Sequence, residues 1–272
     1  MKALFFAGCL AAAGGAVASP CLERLVPYGA AIPAPEYRLE LGGLVYLGAQ
    51  HSSDPGEAQF ADIEKRWNAM KPDVAFYEGP NRPVPANREE AIRQTGESGF
   101  VRYLAARDGV ALARLEPEPK DEAAWLLQRF TPEQVSLFYT LREAARLRER
   151  RSMDEEAITM AIGQMLERAA GMGLPISFRS TAEVAAAYRR YWTEPAQWWQ
   201  APSRWFDPRA RSADTGGIFT NEVNAQSSAF RNVNMVNRLS AAVREGKKVF
   251  AVVGRDHVSH QADALRCSIA TP

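Results

Sequence analysis

Tyr37-Arg38-Leu39-Glu40-Leu41-Gly42-Gly43-Leu44-Val45-Tyr46-Leu47-Gly48 carries two apolar runs around a pair of glycines. Paired glycines tolerate the positive φ of a two-residue hairpin turn, so the stretch predicts strands over 37–41 and 44–47. Working outward, Phe60, Ile63 and Trp67 recur at helical intervals between Pro55 and Met70, and Lys71-Pro72 stops that helix. Asp73 to Tyr77 reads as a short apolar strand. Arg88 to Gln94 and Gly99 to Arg107 read as two helices, the second capped by Ser98, and Val110 to Leu115 as a strand after the Asp108-Gly109 turn. Near the C-terminus Asn224 to Glu245 is helical, Gly246 ends it, and Lys248 to Val253 is a β-branched strand running into Gly254. Strand alternating with helix is the rhythm of an α/β fold.

The middle of the chain breaks that rhythm. Lys120 to about Tyr191 is almost purely helical, with Thr131-Pro132-Glu133-Gln134 a clear start: a Thr cap and Pro at the first helical position. Between Tyr191 and Thr220 the chain is irregular and aromatic, with Trp192, Trp198, Trp199, Trp205 and Phe206 among prolines, and is expected to be a loop-rich lid or a packing segment. The reading is one α/β domain over residues 19–272, a central mixed sheet flanked by helices, with a helical insertion at about 120–220. Of 272 residues, 24% are charged and 46% hydrophobic, which fits neither a disordered chain nor a polytopic membrane protein. With 33 basic and 32 acidic residues the net charge is +1, so no overall field attracts phosphate backbones and no nucleic-acid partner is expected.

Met1-Lys2 precedes a small-to-apolar run, and Ala16-Val17-Ala18 has the small-x-small pattern of signal-peptide cleavage. Residues 1–18 are read as a signal peptide cut after Ala18, which makes the protein exported, periplasmic or secreted, with no integral membrane segment after cleavage. The run is shorter than the roughly 20 residues of a spanning helix and contains Gly14-Gly15. A lipoprotein box at Cys9 is poorly matched by Phe6. Cleavage leaves Cys21 and Cys267, and an even count in an exported chain suggests one disulfide joining the ends, the alternative being two unrelated thiols.

Leu47-Gly48-Ala49-Gln50-His51 and Val253-Gly254-Arg255-Asp256-His257 share one pattern: strand, Gly, two residues, His. Two of the chain's three histidines occupy it. Ligand crevices of open α/β sheets lie outside the carboxyl ends of the strands, where both imidazoles fall, together with Glu78 and Glu116, each directly after a strand. Two His with one or two carboxylates suit a divalent Mn, Co, Fe or Zn ion on His51, His257 and Glu78 or Glu116. The same groups also suit a metal-free site in which His51 is a general base oriented by a Glu. His260, one turn beyond His257, is either an extra ligand or an exposed helix residue. The basic stretch of Arg142, Arg146, Arg148, Arg150 and Arg151 is interrupted by Glu143 and Glu149 and reads as a solvated helix face. Motifs for a serine nucleophile elbow, a phosphate loop, a dinucleotide site and a zincin are missing.

Tyr46-Leu47-Gly48-Ala49-Gln50-His51-Ser52, Pro72-Asp73-Val74 leading to Glu78, Arg231-Asn232 with Met235, and Val253-Gly254-Arg255-Asp256-His257 together resemble the TraB/GumN/Tiki group, a branch of the superfamily holding erythromycin esterases and ChaN haem-binding proteins. The resemblance implies an α/β core with a helical insertion, a site near both histidines, His51, Glu78 and His257 as metal or catalytic residues, and Arg231 holding a carboxylate or an oxyanion. Val258-Ser259-His260 departs from the Leu-x-Gly that usually follows the second His, and Ala49-Gln50 lacks the Glu that precedes the first in erythromycin esterases. The expected function is metal-dependent hydrolysis of amide or ester bonds in a peptide or small molecule, with Glu78 or Glu116 shuttling the proton and Arg231 stabilising developing charge. The alternatives are a metal-free esterase-like hydrolase, a haem- or iron-binding protein whose aromatic segment covers the porphyrin, and a catalytically inactive adhesion module.

Overall fold

The computed structural model describes residues 20–79 and 83–271; the signal-peptide reading of 1–18 lies outside the described residues. The hairpin forms where the glycine pair requires it. Strand β1 (Arg38–Leu41) pairs antiparallel with β2 (Leu44–Ala49), Leu41 opposite Leu44, across Gly42 and Gly43 at φ of 52° and 90°. Helix α1 (Ala58–Met70) follows and ends at Lys71 in the left-handed conformation, then β3 (Val74–Tyr77). Next come α2 (Arg88–Asp108), Gly109 at φ 66°, and β4 (Ala111–Arg114).

The insertion comprises α3 (Pro119–Leu126), α4 (Pro132–Arg151), α5 (Glu155–Gly171), α6 (Thr181–Tyr188) and the short α7 (Ser212–Thr215). Helix α8 (Thr220–Arg244) then returns the chain to β5 (Val249–Gly254), which runs without a break into α9 (Arg255–Ala270). The sheet order is β1-β2-β5-β3-β4, parallel except for the β1 edge, and the fold is therefore α/β with a mixed sheet.

The last strand in sequence lies at the centre of the sheet, and its composition explains why. Val249 to Val253 is apolar on both faces, as a strand covered on both sides must be. Phe250 and Val252 meet Phe60, Ile63 and Trp67 of α1 and Phe100 and Leu104 of α2; Ala251 and Val253 meet Met235, Val236 and Leu239 of α8 and Val258 and Leu265 of α9. Burying side chains of this size contributes roughly 1.5–3 kcal/mol each.

The insertion has its own core, from Leu126 to Val223. It absorbs Trp192, Trp198, Trp205 and Phe206, so the aromatic segment packs and is not an open stacking surface. Its irregular backbone is satisfied by side chains: Arg148 donates to the carbonyls of Trp199 and Ala201, Thr220 to that of Trp205, and Asn221 to those of Arg204 and Asp207. Thr131 and Gln134 form the capping box that starts α4.

Residues 88–108 hold two helical segments, as expected, the first started by the Asn87 side chain and the two joined across a kink where Thr95 and Gly96 leave helical geometry. One expectation changes. Ser98 does not cap; Gly96 takes the break at φ 60°, ψ −141°, a region open to glycine. At the chain's ends, a 3-10 turn over Pro20–Arg24 is tied to α9 by the Cys21–Cys267 disulfide, Cα atoms 5.4 Å apart. Closing so long a loop stabilises the fold by about 5 kcal/mol in the chain-entropy account. Among the described residues no helix is long and apolar enough to cross a membrane.

Candidate functional site

The carboxyl ends of β2, β3 and β5 open on a cleft of about 460 Å³, and the insertion with α8 forms its far wall. His51, Glu78, Arg231 and His257 all line it. His51 follows β2, Glu78 follows β3, and His257 sits in the first turn of α9, directly after β5. The glycines of the repeated pattern serve contact more than turning. A Cβ on Gly48 would stand 2.6 Å from the Arg255 Cα, so Gly48 lets β2 lie against the start of α9. A Cβ on Gly254 would stand 3.3 Å from His51 Nε2 and 3.6 Å from a Glu78 oxygen, so Gly254 leaves space between these two groups.

His51 Nδ1 lies 2.5 Å from Oε1 of Glu97, whose carboxylate is buried. The hydrogen bond that Glu97 accepts from the ring is the main cause that raises the His51 pKa above the ordinary histidine value; burial opposes it. With Nδ1–H held by Glu97, the neutral ring carries its lone pair on Nε2, beside Gly254. Glu97 did not emerge from the sequence. It lies in the kinked part of α2, where Gly96 approaches so closely that a Cβ would stand 2.7 Å from the Ser52 carbonyl oxygen. Its signal was Gly96-Glu97-Ser98-Gly99: two glycines inside a helical run cost roughly 1 kcal/mol each relative to alanine and call for a reason.

His257 is oriented by a buried relay. Tyr46 Oη donates to Gln261 Oε1 (2.9 Å), and Gln261 Nε2 donates to Asn232 Oδ1 (2.8 Å). An amide oxygen that already accepts from Gln261 accepts again from His257 Nδ1–H, at 2.7 Å. The His257 Nε2 edge is thereby turned to Glu78, 3.6 Å away. Tyr28 Oη packs 3.3 Å from Nδ1, and burial above all pushes its phenol up to about 12, so it remains protonated.

Arg231 binds both expected carboxylates. Its Nε and Nη2 clasp Glu116 at 2.7 and 2.6 Å, and Nη2 also donates to Glu78 at 2.5 Å. Glu78 Oε2 accepts from the Gly254 backbone N–H at 2.7 Å. Burial alone would raise the Glu78 pKa, but the charges of His257 and Arg231 and the Gly254 N–H outweigh it and hold the carboxyl well below the usual range. For Arg231 burial is likewise outweighed, by Glu116 and Glu78, and its pKa rises. Glu116 is not among the residues lining the cleft; it anchors Arg231 from behind. Arg231 Nη1 has no hydrogen-bond partner among the described residues.

The residues do not fit a resident metal as arranged. Both Glu78 oxygens are engaged, one by the Arg231 guanidinium and the other by the Gly254 backbone N–H. Among the described residues no group of three or more His, Cys, Asp or Glu is spaced to hold an ion. His260 is neither ligand nor exposed: it is buried, its Nδ1 lies 2.8 Å from the Val26 carbonyl, and its ring stacks on Tyr28 at 4.1 Å. Burial, the largest cause, lowers its pKa. The basic stretch is not simply solvated either, since Arg142 lines the cleft.

Compared with protein-family models, with curated proteins and with solved structures, the chain shows no match.

Proposed function

We propose that this chain is a hydrolase of amide or ester bonds that works without a resident metal, using His51 as general base. The observation that carries the reading is the 2.5 Å pair of His51 Nδ1 with buried Glu97, the geometry that holds an imidazole in the tautomer able to take a proton at Nε2. Water adjacent to Nε2 attacks the substrate carbonyl; its proton passes to Nε2, Glu97 stabilises the imidazolium, and the same proton goes to the leaving amine or alkoxide as the C–N or C–O bond breaks. The oxyanion formed in between is met by the free Nη1 of Arg231 and by the first backbone amides of α9, whose N-terminus has no side-chain cap and lies at the cleft. Glu78 and Glu116 hold Arg231 in place, and His257 keeps Glu78 ionised. Membership in the TraB/GumN/Tiki group is part of the proposal, supported by both Gly-x-x-His elements lining one cleft.

The test is turnover of p-nitrophenyl esters and fluorogenic peptides by chelator-treated protein, beside His51→Ala and His257→Ala, with bound metal measured in each. Turnover that survives chelation and is lost in His51→Ala is expected. Turnover that requires an ion displaced by His51→Ala and His257→Ala restores the metal-dependent reading, and absence of ester and amide turnover in wild type overturns the hydrolase.

A further inference from the structure

Arg142 lines the same cleft as His51 and has no carboxylate within ion-pair distance among the described residues. Its one hydrogen-bond partner there is neutral: Nη1 donates to Asn224 Oδ1 at 3.1 Å. Phe138 and Tyr139 lie under the guanidinium, 4.6 and 5.2 Å from its carbon, and fix its plane. The nearby acids are otherwise engaged. Glu122 accepts from Tyr139 and Ser227, each at 2.5 Å, and Glu143 pairs with Arg146. Burial lowers the Arg142 pKa, the effect of a desolvated positive charge that its neighbours only partly offset. The other cations of the cleft differ: Arg231 is shared by two carboxylates, and Arg255 lies near Asp256.

With Nη1 on Asn224, the Nε and Nη2 hydrogens remain without a partner among the described residues. They are the parallel pair that grips an oxyanion by two hydrogen bonds, as the same two atoms of Arg231 grip Glu116. Helix α8 sets the distance from this fork to the reaction centre. Asn224, Ser228 and Arg231 stand on one face at spacings of four and three residues and all line the cleft. Seven residues of helix span about 10 Å, the length of no more than about three residues of extended peptide.

We propose that Arg142 is the anion-recognition residue of the cleft and that its occupant is a short molecule ending in an oxyanion, such as the free carboxylate of a peptide, within about three residues of the bond that is cleaved. This rests on the hydrolase reading for the bond cleaved, but anion recognition is measured apart from turnover.

The experiment titrates succinate, inorganic phosphate and neutral succinamide by calorimetry into the full chain, its His51→Ala variant, Arg142→Gln and Arg142→Lys. Succinate is expected to bind wild type and His51→Ala alike, to bind Arg142→Gln about tenfold or more weakly, and to retain part of its affinity in Arg142→Lys. Binding by phosphate in place of succinate, with the same dependence on Arg142, assigns the fork to a phosphate group. Equal binding of succinate and succinamide, undiminished anion binding in Arg142→Gln, or failure of both anions to bind wild type overturns the proposal. If Arg142→Gln does not fold, Arg142→Lys carries the comparison: affinity equal to wild type there denies the two-pronged grip. Anion binding without turnover in wild type would sustain this site while removing the hydrolase.

Discussion

Replacing Glu97 by Gln keeps the shape of the group that meets His51 and removes its charge. Two quantities then move. The carboxylate is the main reason the His51 pKa is raised, and burial, which lowers it, remains, so the pKa falls in Glu97→Gln. A unit charge pair at about 4 Å is worth roughly 1 kcal/mol in water and more where water is excluded. The His51 side chain is 57% exposed, so solvent screening leaves the contribution at or below about 1 kcal/mol. The sign follows from the raised pKa. Stability from the charged pair is fully present below the unfolded-state value near 6.5 and is lost as pH rises through the folded-state pKa, so the two proteins converge in alkaline solution. Turnover behaves oppositely, since the base must be neutral: activity rises with pH through the His51 pKa, and in Glu97→Gln that limb shifts to lower pH. Loss of charge-stabilised, oriented general-base catalysis lowers kcat by about 10²–10⁴. With three histidines in the chain, and Nδ1 of both His257 and His260 held by a neutral oxygen, the His51 ring signal can be followed by NMR titration without any substrate. An unchanged His51 titration in Glu97→Gln would refute the reasoning.

Two more perturbations probe the same cleft. Gly254 has φ −55° and ψ 134°, which alanine adopts freely, yet its Cβ would stand 3.3 Å from His51 Nε2; Gly254→Ala should leave the melting temperature almost unchanged and sharply lower turnover, and full activity would deny that this space is used. Arg231→Met leaves the partly buried Glu78 and Glu116 without their cation, a loss of up to about 3–5 kcal/mol. That corresponds to roughly 2–4 °C per kcal/mol in thermal melts of a chain this size. Because the Glu78 pKa is depressed in the folded protein, its stabilisation is present above the unfolded carboxylate value and is lost as pH falls through the folded one. The deficit of Arg231→Met should therefore shrink in acid, and a deficit independent of pH would show that packing, not charge, is what was removed.

How much could be read in advance varies by residue and by the range of the forces involved. The hairpin glycines, the Thr131 capping box and the doubly apolar Val249–Val253 act within a few residues, so local pattern was enough to place them, and with them the α/β class. The strand ends that carry His51, Glu78 and His257 were legible for the same reason. Glu97 was not, because 46 residues separate it from His51 and it reaches that ring only from a helix kinked at Gly96. Arg142 looked like one charge in a solvated run until α8 brought Asn224, 82 residues away, against it.

The sequence by itself determined which elements form and which side chains leave the carboxyl edge of the sheet, since strand period, turn chemistry and capping are short-range. It also supplied two cysteines whose pairing across 246 residues the fold realises. Only the tertiary structure decided the partners: Glu116 behind Arg231, Glu97 on His51, His260 inside against Tyr28, and Arg142 without a carboxylate at the cleft. Those outcomes depend on burial and on charge placed by distant segments, and desolvation and Coulomb interaction act through space, where separation along the chain carries no information.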